Sequence, residues 1–149
     1  MSTMGKFAKR TLLCTVAATL LGATGAAFAQ TKSVAVLAIV EHPALDAIRD
    51  GARDELKAEG YEVGKNLKWE YQSAQGNVGT AAQIARKFVG DKPDAIIGIA
   101  TPTAQAVAAA TKTVPLVYSG VTDPVAAQLV KSWEPSGTNV TGVSDRLPL

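Results

Sequence analysis

Residues Asp94 to Gln105 read Asp-Ala-Ile-Ile-Gly-Ile-Ala-Thr-Pro-Thr-Ala-Gln, and this run restricts the possible fold more than any other stretch of the chain. Ala95 to Ile99 has no polar alternate position, so it predicts a parallel strand covered on both faces. Thr101-Pro102-Thr103 then offers an N-cap hydroxyl, a proline suited to the first helical turn and a second hydroxyl beside unpaired amides. Those amides and the helix dipole favour an anion, so the junction predicts a ligand-facing turn from strand into helix.

The neighbouring segments repeat this alternation. Ser33 to Val40 is a second apolar, β-rich run, stopping at Glu41-His42-Pro43. Leu45, Ile48, Ala52 and Leu56 then recur at helical spacing, with Arg49, Asp50, Arg53, Asp54 and Lys57 on the opposite face and Gly60 as the stop. Leu67 to Tyr71 alternates apolar and charged residues, as a strand nearer the sheet edge would, with Trp69 and Tyr71 facing inward beside Leu67. After the polar turn Ser73 to Asn77, a second amphipathic helix is marked by Ala81, Ile84, Ala85, Phe88 and Val89. Gly90 and Pro93 end it. Ala104, Val107, Ala108 and Thr111 share one helical face, Val114 to Tyr118 is a short buried strand, and Val125 to Val130 predicts one more short helix. Ser136 to Asn139 is a turn into Val140 to Val143. Strands and helices alternating in this way predict an α/β fold with a doubly wound parallel sheet.

Composition matters chiefly at the amino terminus. Lys6, Lys9 and Arg10, the apolar stretch Thr11 to Ala26, and Ala27-Phe28-Ala29 before Gln30 form a secretory signal peptide of bacterial type, cleaved after Ala29. The apolar stretch is too short, and too diluted with Thr and Gly, for a membrane span. Cys14 lies in this leader, so the mature chain has no thiol for disulfides, catalysis or metal ligation. Removing three of the 15 Lys and Arg leaves 12 against 13 Asp and Glu, a formal charge of −1 with no basic block to attract nucleic acid.

Catalytic patterns are missing. There is no G-x-G-x-x-G and no P-loop, and His42, the sole histidine, has no G-x-S-x-G serine to activate. One His without a tight carboxylate cluster does not make a metal site, and no cofactor is implied. The chain therefore predicts binding without turnover, at the carboxyl ends of the strands. Four loops fall there, at Glu41-His42, Gln75-Gly76-Asn77, Thr101-Pro102-Thr103 and Ser119 to Asp123. Thr101 and Thr103 suit a carboxylate, or simply cap a helix. Asp123, after Thr122, suits an ammonium group or caps the next helix. Glu41, His42 and Gln75 would form further wall. Tyr118, read as the end of its strand, has a better claim to a pocket than Trp69 and Tyr71, which read as core.

Three motifs carry a family resemblance. Ile99 to Gln105, Ser119 to Val125 and Gly137 to Asp145 occur in that order after a leader and an opening Val34-Ala35-Val36 that leads to Glu41-His42-Pro43-Ala44-Leu45-Asp46. Together they resemble the periplasmic ABC transporter substrate-binding proteins of the tryptophan/tyrosine type. The resemblance implies a class I periplasmic-binding fold of two Rossmann-like lobes closing on a small ligand, often an aromatic amino acid. It also implies a membrane permease and a cytoplasmic ATPase as partners. Family members are longer, so the expected organisation is a signal peptide over residues 1–29, an amino-terminal binding lobe over 30–143, and the start of a crossover to a second lobe over 144–149. A periplasmic sensing lobe that reports to a signalling receptor is the alternative that the same residues allow.

Overall fold

A computed structural model describes residues 30–146. The proposed leader lies outside the described residues. A five-stranded sheet forms the centre, built from β1 (Lys32–Ala38), β2 (Leu67–Ser73), β3 (Ala95–Ile99), β4 (Leu116–Val121) and β5 (Val140–Ser144). All its pairings are parallel, in the order β2-β1-β3-β4-β5. Three helices connect the strands: α1 (Pro43–Ala58), α2 (Val78–Gly90) and α3 (Thr101–Ala110).

The apolar runs account for the centre of the sheet. Val36 and Leu37 of β1 and Ile96 and Ile99 of β3 are wholly buried, since a helix covers each face. On one face α2 and α3 pack Ile84, Phe88, Ala104 and Val107 against Leu37, Ile96 and Leu116. Phe88 is the largest wholly buried side chain, and burying a ring of that size contributes about 2–3 kcal/mol. On the other face α1 lays its predicted stripe, Leu45, Ile48, Ala52 and Leu56, on Val36, Ala38, Ile97 and Ile99. None of those four α1 residues is fully buried, so α1 is the more loosely covered helix. Trp69 and Tyr71 of the edge strand β2 pack on that face, with Arg49 stacked 4.7 Å above the Tyr71 ring.

Two glycines permit close approaches. A methyl group on Gly98 would lie 2.9 Å from the Ala104 Cα, so glycine is what lets α3 sit directly on β3. One on Gly142 would run into the Tyr118 carbonyl and ring.

Two expectations need correction. Val125 to Val130 is a series of turns, not a helix, because the Asp123 carboxylate and the Pro124 carbonyl draw the local amides into tight turns. Tyr118 does not end its strand. β4 runs on to Val121, which leaves Tyr118 in mid-strand, 7% exposed, in the core beneath α3.

Candidate functional site

A parallel sheet puts every strand-to-helix turn on one edge. The chain crosses from β2 over β1 to β3, so connections leave β1 and β3 toward opposite faces, and the crevice between those two turns is the usual ligand position in such sheets. The β1 turn carries Glu41 and His42, both exposed. His42 is the N-cap of α1, its Nδ1 accepting the Ala44 amide at 3.2 Å, which leaves the other ring nitrogen for a further partner. The β2 turn is tied to this one by the Gly76 amide, which donates to the Ile39 carbonyl at 2.7 Å. Gln75 is exposed there at φ 53°, and Asn77 caps α2 by accepting the Thr80 amide at 2.9 Å.

The β3 turn differs from expectation in an informative way. Its N-cap is Ala100, at φ 79° and ψ 157°, with no side chain to cap α3. Thr101 is the first helical residue rather than the cap. That backbone region is essentially restricted to glycine, and holding another residue there costs on the order of 1–3 kcal/mol. The turn is pinned by the Ala100 amide, which donates to the Ser119 carbonyl at 2.9 Å. Thr103 points into the lobe rather than out at its edge. It is fully buried, and its hydroxyl donates to the carbonyls of Ile99 and, at 2.8 Å, Ala100. A threonine inside the first turn bonds readily to carbonyls three and four residues back, which satisfies the hydroxyl internally. The amides of the first turn thus face the carboxyl edge without a side-chain cap, and the half-buried Thr101 is the hydroxyl residue beside them.

At the β4 end, Thr122 is exposed, and its carbonyl accepts the Ser144 hydroxyl at 2.8 Å. Asp123 fulfils the capping alternative. Its Oδ1 accepts the amides of Val125 at 3.0 Å and Ala126 at 2.9 Å. Oδ2 lies 3.6 Å from the Arg146 guanidinium. The fold therefore gathers Glu41, His42, Gln75, Thr101, Thr122 and Asp123 at one edge, buries Thr103 behind it and places Tyr118 away from it. Sequence reasoning missed Ala100, whose backbone angle has no signal in a residue that prefers other conformations. Arg146 lies in the segment expected to begin the crossover, and only its approach to Asp123 brings it to this edge.

Among the described residues no three His, Cys, Asp or Glu side chains cluster as a metal site, and no helix is long and apolar enough to cross a membrane. Fold and edge together define one α/β lobe of the class I periplasmic-binding type. Residues 33–149 match the family described as ABC transporter substrate binding protein, and the chain belongs to that family.

Its relatives agree. The chain is 47% identical over 118 residues to a tyrosine-binding protein of Clostridioides difficile (strain R20291), covering 79% of this chain and 34% of that one. A crystal structure of a conserved domain protein from Vibrio cholerae O1 biovar El Tor is similar at 62% identity and a TM-score of 0.79, over 80% of this chain and 40% of the other. A Streptococcus pneumoniae ABC domain solved in complex with L-Trp is similar at 39% identity and a TM-score of 0.75, over 78% and 39%. The chain thus spans about a third of the length of its curated relative.

Proposed function

We propose that the chain is the solute-binding component of an ABC importer, acting in the periplasm with a membrane permease and a cytoplasmic ATPase, on a small carboxylate-bearing ligand such as an aromatic amino acid. The observation that carries this reading is the uncapped start of α3 at the switch-point edge, where amides and the helix dipole suit a carboxylate. Asp123, with Glu41, His42, Gln75 and Thr122 on neighbouring turns, supplies the surrounding polar wall. The tyrosine-binding relative and the L-Trp complex support an aromatic amino acid as the ligand class. In this reading residues 30–143 are an amino-terminal lobe, and residues 144–149 begin the crossover to a second lobe whose closure completes the site.

Calorimetric titration of this lobe joined to the second lobe of a family member, with L-tyrosine, L-tryptophan and L-leucine, tests the ligand class. Heat from one of the aromatic amino acids, weakened several-fold in Thr101→Ala, is the expected result. No heat from any of the three would sink the amino-acid reading, and an unchanged response in Thr101→Ala would remove the Thr101 hydroxyl from the site. Export is read separately, by recovering from the periplasm a chain whose mass begins at Gln30.

A further inference from the structure

The segment leaving β5 is fastened to the end of β4 by two hydrogen bonds and braced by a third within itself. The Asp145 amide donates to the Val121 carbonyl at 3.3 Å, the Ser144 hydroxyl donates to the Thr122 carbonyl at 2.8 Å, and the Arg146 amide donates to the Ser144 hydroxyl at 3.0 Å. This fastening holds the Arg146 guanidinium 3.6 Å from Asp123 Oδ2, with the two side chains 50% and 39% exposed. Neither group is used up by the other. Asp123 has committed Oδ1 to two backbone amides, which leaves Oδ2 with accepting capacity. A guanidinium carries five N–H donors in a planar fork, and a single long contact satisfies few of them.

A lone carboxylate would attract any amine, and a lone guanidinium any acid. Held side by side, the two are neutral together and favour a molecule that carries both charged groups on one carbon. We propose that Asp123 and Arg146 form a dyad that reads the zwitterion of an α-amino acid, the ammonium on Asp123 Oδ2 and the carboxylate on the Arg146 fork. Arg146 is then a specificity-determining residue, binding the carboxylate jointly with the α3 amides. The planar fork matches a carboxylate in a way that lysine would not. The assignment rests on the amino-acid reading of the site.

The experiment compares L-tyrosine with tyramine, which lacks the carboxylate, and with 3-(4-hydroxyphenyl)propionate, which lacks the ammonium, by calorimetry on the same two-lobed protein. The wild type is expected to prefer tyrosine about ten-fold over each, the lower end of the range for hydrogen bonds to charged groups. Arg146→Gln should cut the preference for tyrosine over tyramine to about three-fold, the remainder held by the α3 amides, while still discriminating against the propionate. Asp123→Asn should do the reverse. Because Asp123 also caps a turn, the Arg146 variant carries the test by itself. Tyrosine binding with an unchanged tyramine ratio in Arg146→Gln overturns the dyad alone, as does a gain in tyrosine affinity, which would make Arg146 a mere plug on Asp123. Failure of all three compounds to bind the wild type overturns the amino-acid reading and the dyad with it.

Discussion

Replacing Ala100 with glycine should stabilise this protein, the opposite of what that substitution usually does. At φ 79° and ψ 157° the alanine methyl is held in a conformation that only glycine adopts freely, at a cost of about 2 kcal/mol. Glycine removes that cost but adds freedom to the unfolded chain, which takes back about 0.7 kcal/mol. The net gain is about 1 kcal/mol. For a described domain of residues 30–146, an unfolding entropy of about 2.1 cal/mol/K per residue converts this into a rise of about 4 °C in Tm. Thermal melts and urea titrations followed by circular dichroism would measure it, with the midpoint moving and the m-value constant. Ala100→Val, with a β-branched side chain in the same conformation, should instead lose several kcal/mol. A fall in Tm for the glycine variant would refute the strained junction, and with it the idea that the fold stores energy where α3 presents its amides.

Gly98→Ala should cost about 1–3 kcal/mol, because its methyl group would meet the Ala104 backbone and α3 would have to move off β3. Gly142→Ala should be worse in the same denaturation assay, since the obstacle includes the Tyr118 carbonyl as well as its ring. Thr103→Val should lose about 1 kcal/mol from a hydroxyl shared between two carbonyls yet leave amino-acid affinity unchanged, a pairing that separates a structural hydroxyl from a ligand-binding one. The Asp94 carboxyl is held below the usual carboxylate range, first by the Ser33 amide at 2.8 Å and then by Lys32, and Glu70 is held below it first by Lys87 at 2.7 Å. Folded-state values below the unfolded ones mean that this stability is fully present above about pH 4–5 and is lost as pH falls through the depressed values. The Asp94 side chain is 46% exposed, so salt screening keeps its share small. Asp94→Asn should flatten the acid limb of the urea midpoint between about pH 5 and pH 2. An unchanged limb would remove Asp94 from the account.

Hydrophobic patterning determined a good deal of this protein without any coordinates. Runs such as Val34 to Ala38 and Ala95 to Ile99 have no polar face to offer water, so they had to lie in a parallel sheet between helices, and the stripe from Leu45 to Leu56 had to lie on it. From the alternation of those elements the common edge follows, and with it four of the loops that carry candidate residues. Local chemistry was less legible where two outcomes differ by a single bond. Thr101-Pro102-Thr103 was read with the cap at Thr101, and the structure moves it one residue earlier, which turns Thr103 inward and leaves the α3 amides uncapped. Asp123 had two readings open, and its amide bonds to Val125 and Ala126 settle the capping one while leaving Oδ2 facing Arg146. Tyr118 was misplaced because strand length depends on pairing with β5, which lies more than twenty residues further along the chain. Tertiary structure alone decided the backbone of Ala100 and the approach of Arg146 to Asp123. Both arise from contacts between strands far apart in sequence, the Ala100 amide to Ser119 and the Ser144 hydroxyl to Thr122, and no periodicity along the chain encodes a contact of that kind.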